Sequence, residues 1–220
     1  VTYTETVTRD GETTIASISD TAALAVLRRG QRLGCAVSAL LDGTVTITRT
    51  VLRLADENAT ETQVTVTLSP DAKPRRLTKA QYENLKWIRA AGARAVLRPD
   101  GRIGDVFCQI PQATAKRLFN YGIAVVTAGG LVEISVAGLL AIAAYEHPAR
   151  TTRPRGWHDR TDGSLNRPRV QRMHPYQAND RTSAAVCTCG FHRTLDERTY
   201  AVAAKNGHLA EVLSAALVAA

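Results

Sequence analysis

Methionine occurs once in these 220 residues, cysteine four times, and aromatic side chains supply only 5% of the chain. The first 74 residues contain no histidine, no close pair of carboxylates and no glycine-rich phosphate loop. Acid–base, nucleophilic and phosphate-cradling chemistry is therefore not expected there. Cys35, Cys108, Cys187 and Cys189 make a poor disulfide framework, so reduced thiols are expected. Long apolar runs are also scarce. The one that could suggest a membrane span, residues 123–144, carries Gly129-Gly130 and Glu133, and an acid at the centre of a span costs roughly 2.5–3.5 kcal/mol. A hairpin followed by a helix accommodates the same letters without that cost. No charged-then-apolar leader opens the sequence, which begins VTYTETVTRDGETT, so the expected compartment is the cytoplasm.

Hydrophobic residues make up 45% of the chain, enough for one good core or two small ones and too ordinary a composition for a disordered or fibrous protein. Two or three small domains are expected. Charge is unevenly placed. Residues 1–74 carry 7 basic and 9 acidic side chains, 75–146 carry 10 and 5, 147–183 carry 8 and 3, and 184–220 carry 3 and 3, for a formal net charge of +8. The positive field begins at Arg75 and ends near Arg181, and a polyanion, nucleic acid before membrane, is its natural partner. Heavy use of Ala, Arg, Thr and Val with a single Met fits a high-GC genome, a bacterium or its phage.

Residues 1–74 read as a small antiparallel sheet with one helix. Alternation over residues 2–8, a turn at Asp10-Gly11 and a second run over 13–18 form a hairpin. Ser19 or Asp20 caps a helix through Arg29, with Ala23, Val26 and Leu27 facing inward and Gly30 ending it. Strands are expected over 33–41, 44–54 and 62–68, with the polar segment ADENATE as a loop. The many threonines suit the pleated face of a strand. Cys35 reads as a small core residue, and the module as a whole as a surface for assembly or strand pairing.

Residues 75–146 hold two helical runs, a ribbon with a glycine tip and a closing helix. Thr78 is a candidate N-cap, Tyr82, Leu85, Ile88 and Trp87 give a helical apolar stripe, and Gly92 ends that helix. A second helix begins at Pro111 and ends at Tyr121-Gly122; residues 123–135 form a hairpin, and Ile134-Ser135-Val136-Ala137-Gly138 opens a last helix. This order, over residues 77–146, resembles a winged-helix DNA-binding module. The sequence departs from that pattern at residues 95–107, where a hairpin around Pro99-Asp100-Gly101 stands in place of the helix that props the recognition helix. Gln112, Lys116, Arg117 and Asn120 face away from Ala115, Leu118 and Phe119; the cations suit phosphates or guanine and the amides suit adenine. Arg75 and Arg76, with Lys73, add charge just before the first helix. The tip Thr127-Ala128-Gly129-Gly130 carries no cation. The alternative is a degenerate winged helix that docks or dimerises through the apolar residues 136–145. Cys108 reads as a core residue.

Residues 147–183 lose periodicity and carry eight arginines, four prolines and no lysine. They read as an extended arm in which Arg153, Arg155, Arg167, Arg169 and Arg172 contact phosphates and Trp157 and Tyr176 stack on bases. In residues 184–220, Cys187-Thr188-Cys189-Gly190-Phe191 places two thiols on one turn, and His208 follows on a helix expected over 196–217. Zinc then needs a fourth ligand, His174 or His192, with His158 more distant. This order resembles the small zinc-binding Cys-x-Cys-Gly tails of high-GC actinobacterial and phage proteins, and four protein ligands imply a structural ion. The expectation is an α+β protein in four parts, 1–74, 75–146, 147–183 and 184–220, that binds DNA without catalysis in the cytoplasm of a bacterium or phage-infected host. The rival is a protein-interaction subunit.

Overall fold

The structure is a computed structural model, and the residues it describes are 2–55, 58–72, 76–104, 108–148, 150–152, 183–195 and 198–219. The chain divides into two units: Val1–Glu146 with Ala210–Ala220, and His147–Leu209. The boundary falls inside the C-terminal helix.

The first unit is built on a five-stranded antiparallel sheet, in the order β2-β1-β5-β4-β3. Strands β1 (Thr2–Arg9) and β2 (Glu12–Ser19) pair from Thr2↔Ser19 to Arg9↔Glu12. The loop joining them is Asp10-Gly11, with φ of 52° and 82°, the left-handed pair that a two-residue hairpin needs to match strand twist. Helix α1 (Asp20–Arg32) follows, capped by the Ser19 hydroxyl, which accepts from the Ala22 amide. Ala23, Leu24, Leu27 and Gly30 face the core. The helix runs past Gly30, contrary to the expected stop. A Cβ on Gly30 would stand 2.7 Å from Ile47 Cγ2, so this glycine admits a close helix–strand approach, and the left-handed turn comes at Gly34 (φ 67°).

Strand β3 (Ala36–Ala39) is shorter than expected, leaving Leu33, Leu40 and Leu41 exposed. Strands β4 (Val45–Ala55) and β5 (Asn58–Pro70) pair along their whole length, to Ala55↔Asn58. Much of the polar segment read as a loop is thus strand, because ladder pairing outweighs local polarity. Tyr3, Leu68, Val45 and Ile47 line the inner face. Thr4, Thr6 and Thr8 on β1, Thr65 and Thr67 on β5, and Thr46 and Thr48 on β4 alternate with that face.

The same apolar cluster continues into α2 (Lys79–Ala91) through Leu85 and Ile88. Thr78 and Gln81 form the capping box, and Gly92 (φ 52°) ends the helix. Residues 95–97 then run beside two segments: the Leu97 amide donates to Gly130 and the Val132 amide to Ala95, while Leu97 bridges Ile103. A short ribbon, β6 (Ile103–Gly104) with β7 (Gln109–Ile110), leads to α3 (Gln112–Asn120). Cys108 is exposed rather than in the core, since it lies beyond the last ribbon pair, Gly104↔Gln109. Pro111 sits at the N-cap of α3, with extended backbone, one position before the expected place.

Hairpin β8 (Ala124–Val126) and β9 (Val132–Ile134) precedes α4 (Val136–Glu146), whose residues Val136 through Ala143 are all buried. The apolar letters of α4 are used in the chain's own core, which leaves little of it to serve as a docking helix. Glu133, the acid inside the apolar run, receives Arg28 Nη1 at 2.9 and 2.7 Å. Both side chains are partly exposed, so this pair contributes at most about 1 kcal/mol. Among the described residues, no helix is long and apolar enough to cross a membrane.

The end of helix α5 (Arg198–Val218) closes the first unit. Leu213 and Leu217 are buried, Gln31 donates to the Leu217 carbonyl, and the Ala39 amide on edge strand β3 donates to Ser214 Oγ at 2.9 Å. In the second unit, β10 (Arg150–Thr152), β11 (Ser183–Val186) and β12 (His192–Leu195) form an antiparallel sheet, with Thr152 opposite Ala184 and Val186 opposite His192.

Candidate functional site

The clearest cluster of donor atoms lies in the second unit. Between β11 and β12 the chain reverses over Cys187-Thr188-Cys189-Gly190. The Gly190 amide donates to the Cys187 carbonyl at 3.1 Å, and the Cys187 amide to the Phe191 carbonyl at 2.9 Å. Gly190 has φ of 93°, a conformation that side chains with a Cβ rarely adopt, so glycine after the second cysteine is what lets the turn close. Both sulfurs are thereby held on one tight reversal.

A histidine meets them there. His147, Cys187 and Cys189 each offer a ligand atom, and these atoms all lie within 4.8 Å of one another. His147 and Cys187 are half-buried and Cys189 is exposed. Nδ1 of His147 is buried and has no hydrogen-bond partner among the described residues, an arrangement that costs free energy unless something binds there. On α5, His208 Nε2 lies 3.2 Å from Cys189 Sγ, and the Phe191 ring lies parallel to the His208 ring with centroids 4.2 Å apart. Phe191 thus fixes the plane of that imidazole. The His/Cys/Cys trio could hold a metal ion, and its soft sulfur with borderline nitrogen donors suits a metal such as zinc better than calcium or magnesium.

Of the expected ligands, Cys187 and Cys189 belong to the trio and His208 approaches Cys189, whereas His192 sits exposed on β12, outside the trio. His174 and His158 lie outside the described residues. His147, forty positions before the cysteine pair, was not among the expected ligands. No local spacing reveals it, and only the pairing of β10 with β11 carries the chain back past the turn. No family model, curated protein or solved structure matches this chain.

The expected nucleic-acid face can be followed in part. Gln112, Lys116, Arg117 and Asn120 are all exposed on α3, opposite buried Ala115 and Leu118. Among the described residues Lys116 and Arg117 make no ion pair, whereas Arg102 lies 3.7 Å from Asp100 and donates to Gln109 at 3.1 Å. Arg76 is exposed ahead of α2. Arg75, Arg153, Arg155, Arg167, Arg169 and Arg172, with Trp157 and Tyr176, lie outside the described residues. An open cleft of about 370 Å³ runs between α1, α2 and β9, floored by Leu24, Leu27 and Ile88. Its rim includes the Arg28–Glu133 pair, whose charges already satisfy each other.

Proposed function

We propose that this chain binds nucleic acid without catalysis, as a regulator or accessory factor, and that α3 is the element it presents. One observation carries the reading: Gln112, Lys116, Arg117 and Asn120 share an exposed helix face whose two cations have no acid partner among the described residues. Such a face is free to neutralise phosphates and to reach base edges. The same reading takes residues 77–146 as a winged-helix-like module. Residues 95–97 pair with the far strand of the β8–β9 hairpin, the hairpin follows α3 directly, and Ser135 caps the closing helix. The ribbon β6–β7 takes the place of the supporting second helix, and the Gln112 side chain lies against Gly101, in the turn that precedes β6. In the same reading the Cys/His group of the second unit holds zinc in a structural role, stabilising the β10–β11–β12 sheet.

Fluorescence anisotropy of labelled duplex and single-stranded DNA across a salt series tests the reading. Binding should weaken steeply with salt. Replacing Lys116 and Arg117 together by Ala should lower the slope of log K against log[salt] by about 0.9 per lost phosphate contact. A flat or absent response would sink the proposal, and an unchanged slope in the variant would move the interface away from α3. A specific observation favours the assembly reading as runner-up: β2 is the terminal strand of its sheet, and Ile15 on it is 70% exposed. Strand pairing along β2 would then be the mechanism.

A further inference from the structure

We infer that His147 completes a closed Cys₂His₂ zinc site with Cys187, Cys189 and His208, so that one ion ties together three separate stretches of the second unit. This rests on the zinc part of the proposal above and goes beyond it by naming the full ligand set and what the ion holds.

Geometry carries the argument. Tetrahedral zinc, with Zn–S of about 2.3 Å and Zn–N of about 2.0–2.1 Å, sets its ligand atoms roughly 3.3–3.8 Å apart. The trio lies within 4.8 Å, and His208 reaches it through a 3.2 Å approach to Cys189. Three donors thus already converge, and His208 meets one of them, Cys189, from α5. His147 presents a buried ring nitrogen without a hydrogen-bond partner among the described residues, while His192, the nearer histidine in sequence, is exposed on β12. Tight turn, orphaned imidazole and stacked imidazole each make sense as parts of one sphere.

The four ligands leave no open position for water, so the site is structural. Its mechanical effect follows from where the ligands stand. His147 lies just before β10, the cysteines just after β11, and Thr152 pairs with Ala184. Zinc therefore fastens both ends of the chain that runs from β10 to β11, and fastens α5 to them through His208.

The test uses the full chain, purified reduced, with zinc measured by elemental analysis and Co(II) substitution read in the visible spectrum. One zinc per chain and the intense d–d bands of tetrahedral cobalt with thiolate charge transfer are expected. His147→Ala should weaken zinc binding by more than the roughly 10–100-fold lost when a residue that only hydrogen-bonds to a ligand is removed, whereas His192→Ala and His174→Ala should leave it unchanged. His147→Cys, which restores a ligand, should recover binding and add thiolate-to-cobalt intensity, which separates coordination from a folding defect. Zinc in the wild type with His147→Ala binding as tightly, or His147→Cys adding no charge-transfer intensity, would overturn His147 as ligand while leaving the zinc reading in place. Wild-type protein without stoichiometric zinc would overturn both.

Discussion

Two glycines show how much a single position constrains this fold. Gly30 and Gly138 both lie in helices, where alanine would ordinarily stabilise by roughly 0.5–1 kcal/mol. A Cβ on Gly30 would stand 2.7 Å from Ile47 Cγ2, the branch methyl of a buried side chain that is stiff about χ1, so Gly30→Ala should destabilise rather than gain from helix propensity. A Cβ on Gly138 would fall against the backbone carbonyl of Ile123, inside van der Waals contact, and that backbone cannot move without shifting the start of β8. Gly138→Ala should therefore destabilise by about 1–3 kcal/mol despite its better helix propensity, as a lowered denaturation midpoint. Tyr3 makes a different demand. Its hydroxyl is buried without a hydrogen bond of good geometry among the described residues, and its pKa is raised by burial and then by the Asp20 charge, which the nearby Ala137 amide offsets only in part. A phenol that resists ionisation in the fold but ionises normally when unfolded loses stability as pH rises above about 10. Tyr3→Phe should raise stability by about 1 kcal/mol near neutral pH and lessen the alkaline decline, both readable from denaturation curves at several pH values. None of these three residues advertises its role in sequence, because a close approach and an unsatisfied atom exist only after folding.

At the scale of elements, those with a local chemical cause were legible. Asp10-Gly11 specifies its hairpin, Thr78 and Gln81 their capping box, and Gly92 a helix end, each through contacts a few residues apart. Elements whose cause is distant were misread. The polar start of β5 is strand because β4 pairs with it, and the two-residue strands β6 and β7 are too short to show any period. The expected stop at Gly30 failed for the same reason, since what decides that glycine is Ile47 on another element. The opening of α4 shows a local signal fused with a tertiary one. Ser135 is fully buried; its hydroxyl donates to the Gly122 carbonyl at 2.5 Å and accepts from the Gly138 amide at 3.0 Å. It caps α4 and ties the end of α3 to it in one side chain. Ser135→Ala should cost about 1–3 kcal/mol, beyond an ordinary cap, because it strands a buried carbonyl as well. Ser135→Thr keeps both hydrogen-bonding roles and should recover most of the loss, unless the added methyl clashes.

For the whole molecule, alternation and capping sufficed for an α+β sheet carrying one helix, but not for the chain's long-range closures. Nothing in the letters of α5 says that its last two turns cover the edge of a sheet begun two hundred residues earlier, and nothing near His147 says that it meets a turn forty residues on. Both closures depend on topology, which sequence periodicity does not encode. The first of them makes a strong prediction. Leu213 is 5% exposed and Leu217 0%, so each contributes roughly 1.5–3 kcal/mol of burial. Ser214 meets the Ala39 amide on the edge strand, a further contribution of about 1 kcal/mol. Against a total stability of about 5–15 kcal/mol for a domain of this kind, a chain ending at Leu209 should lose much of its cooperative unfolding transition. Leu217→Ala alone should lower it by about 2–5 kcal/mol, while Glu211→Ala, on the exposed side of the same helix, should leave it within about 0.5 kcal/mol of the parent. Equal midpoints for the Leu217 and Glu211 variants would mean that the helix end does not belong to this core, and that the β3 edge is protected by some other means.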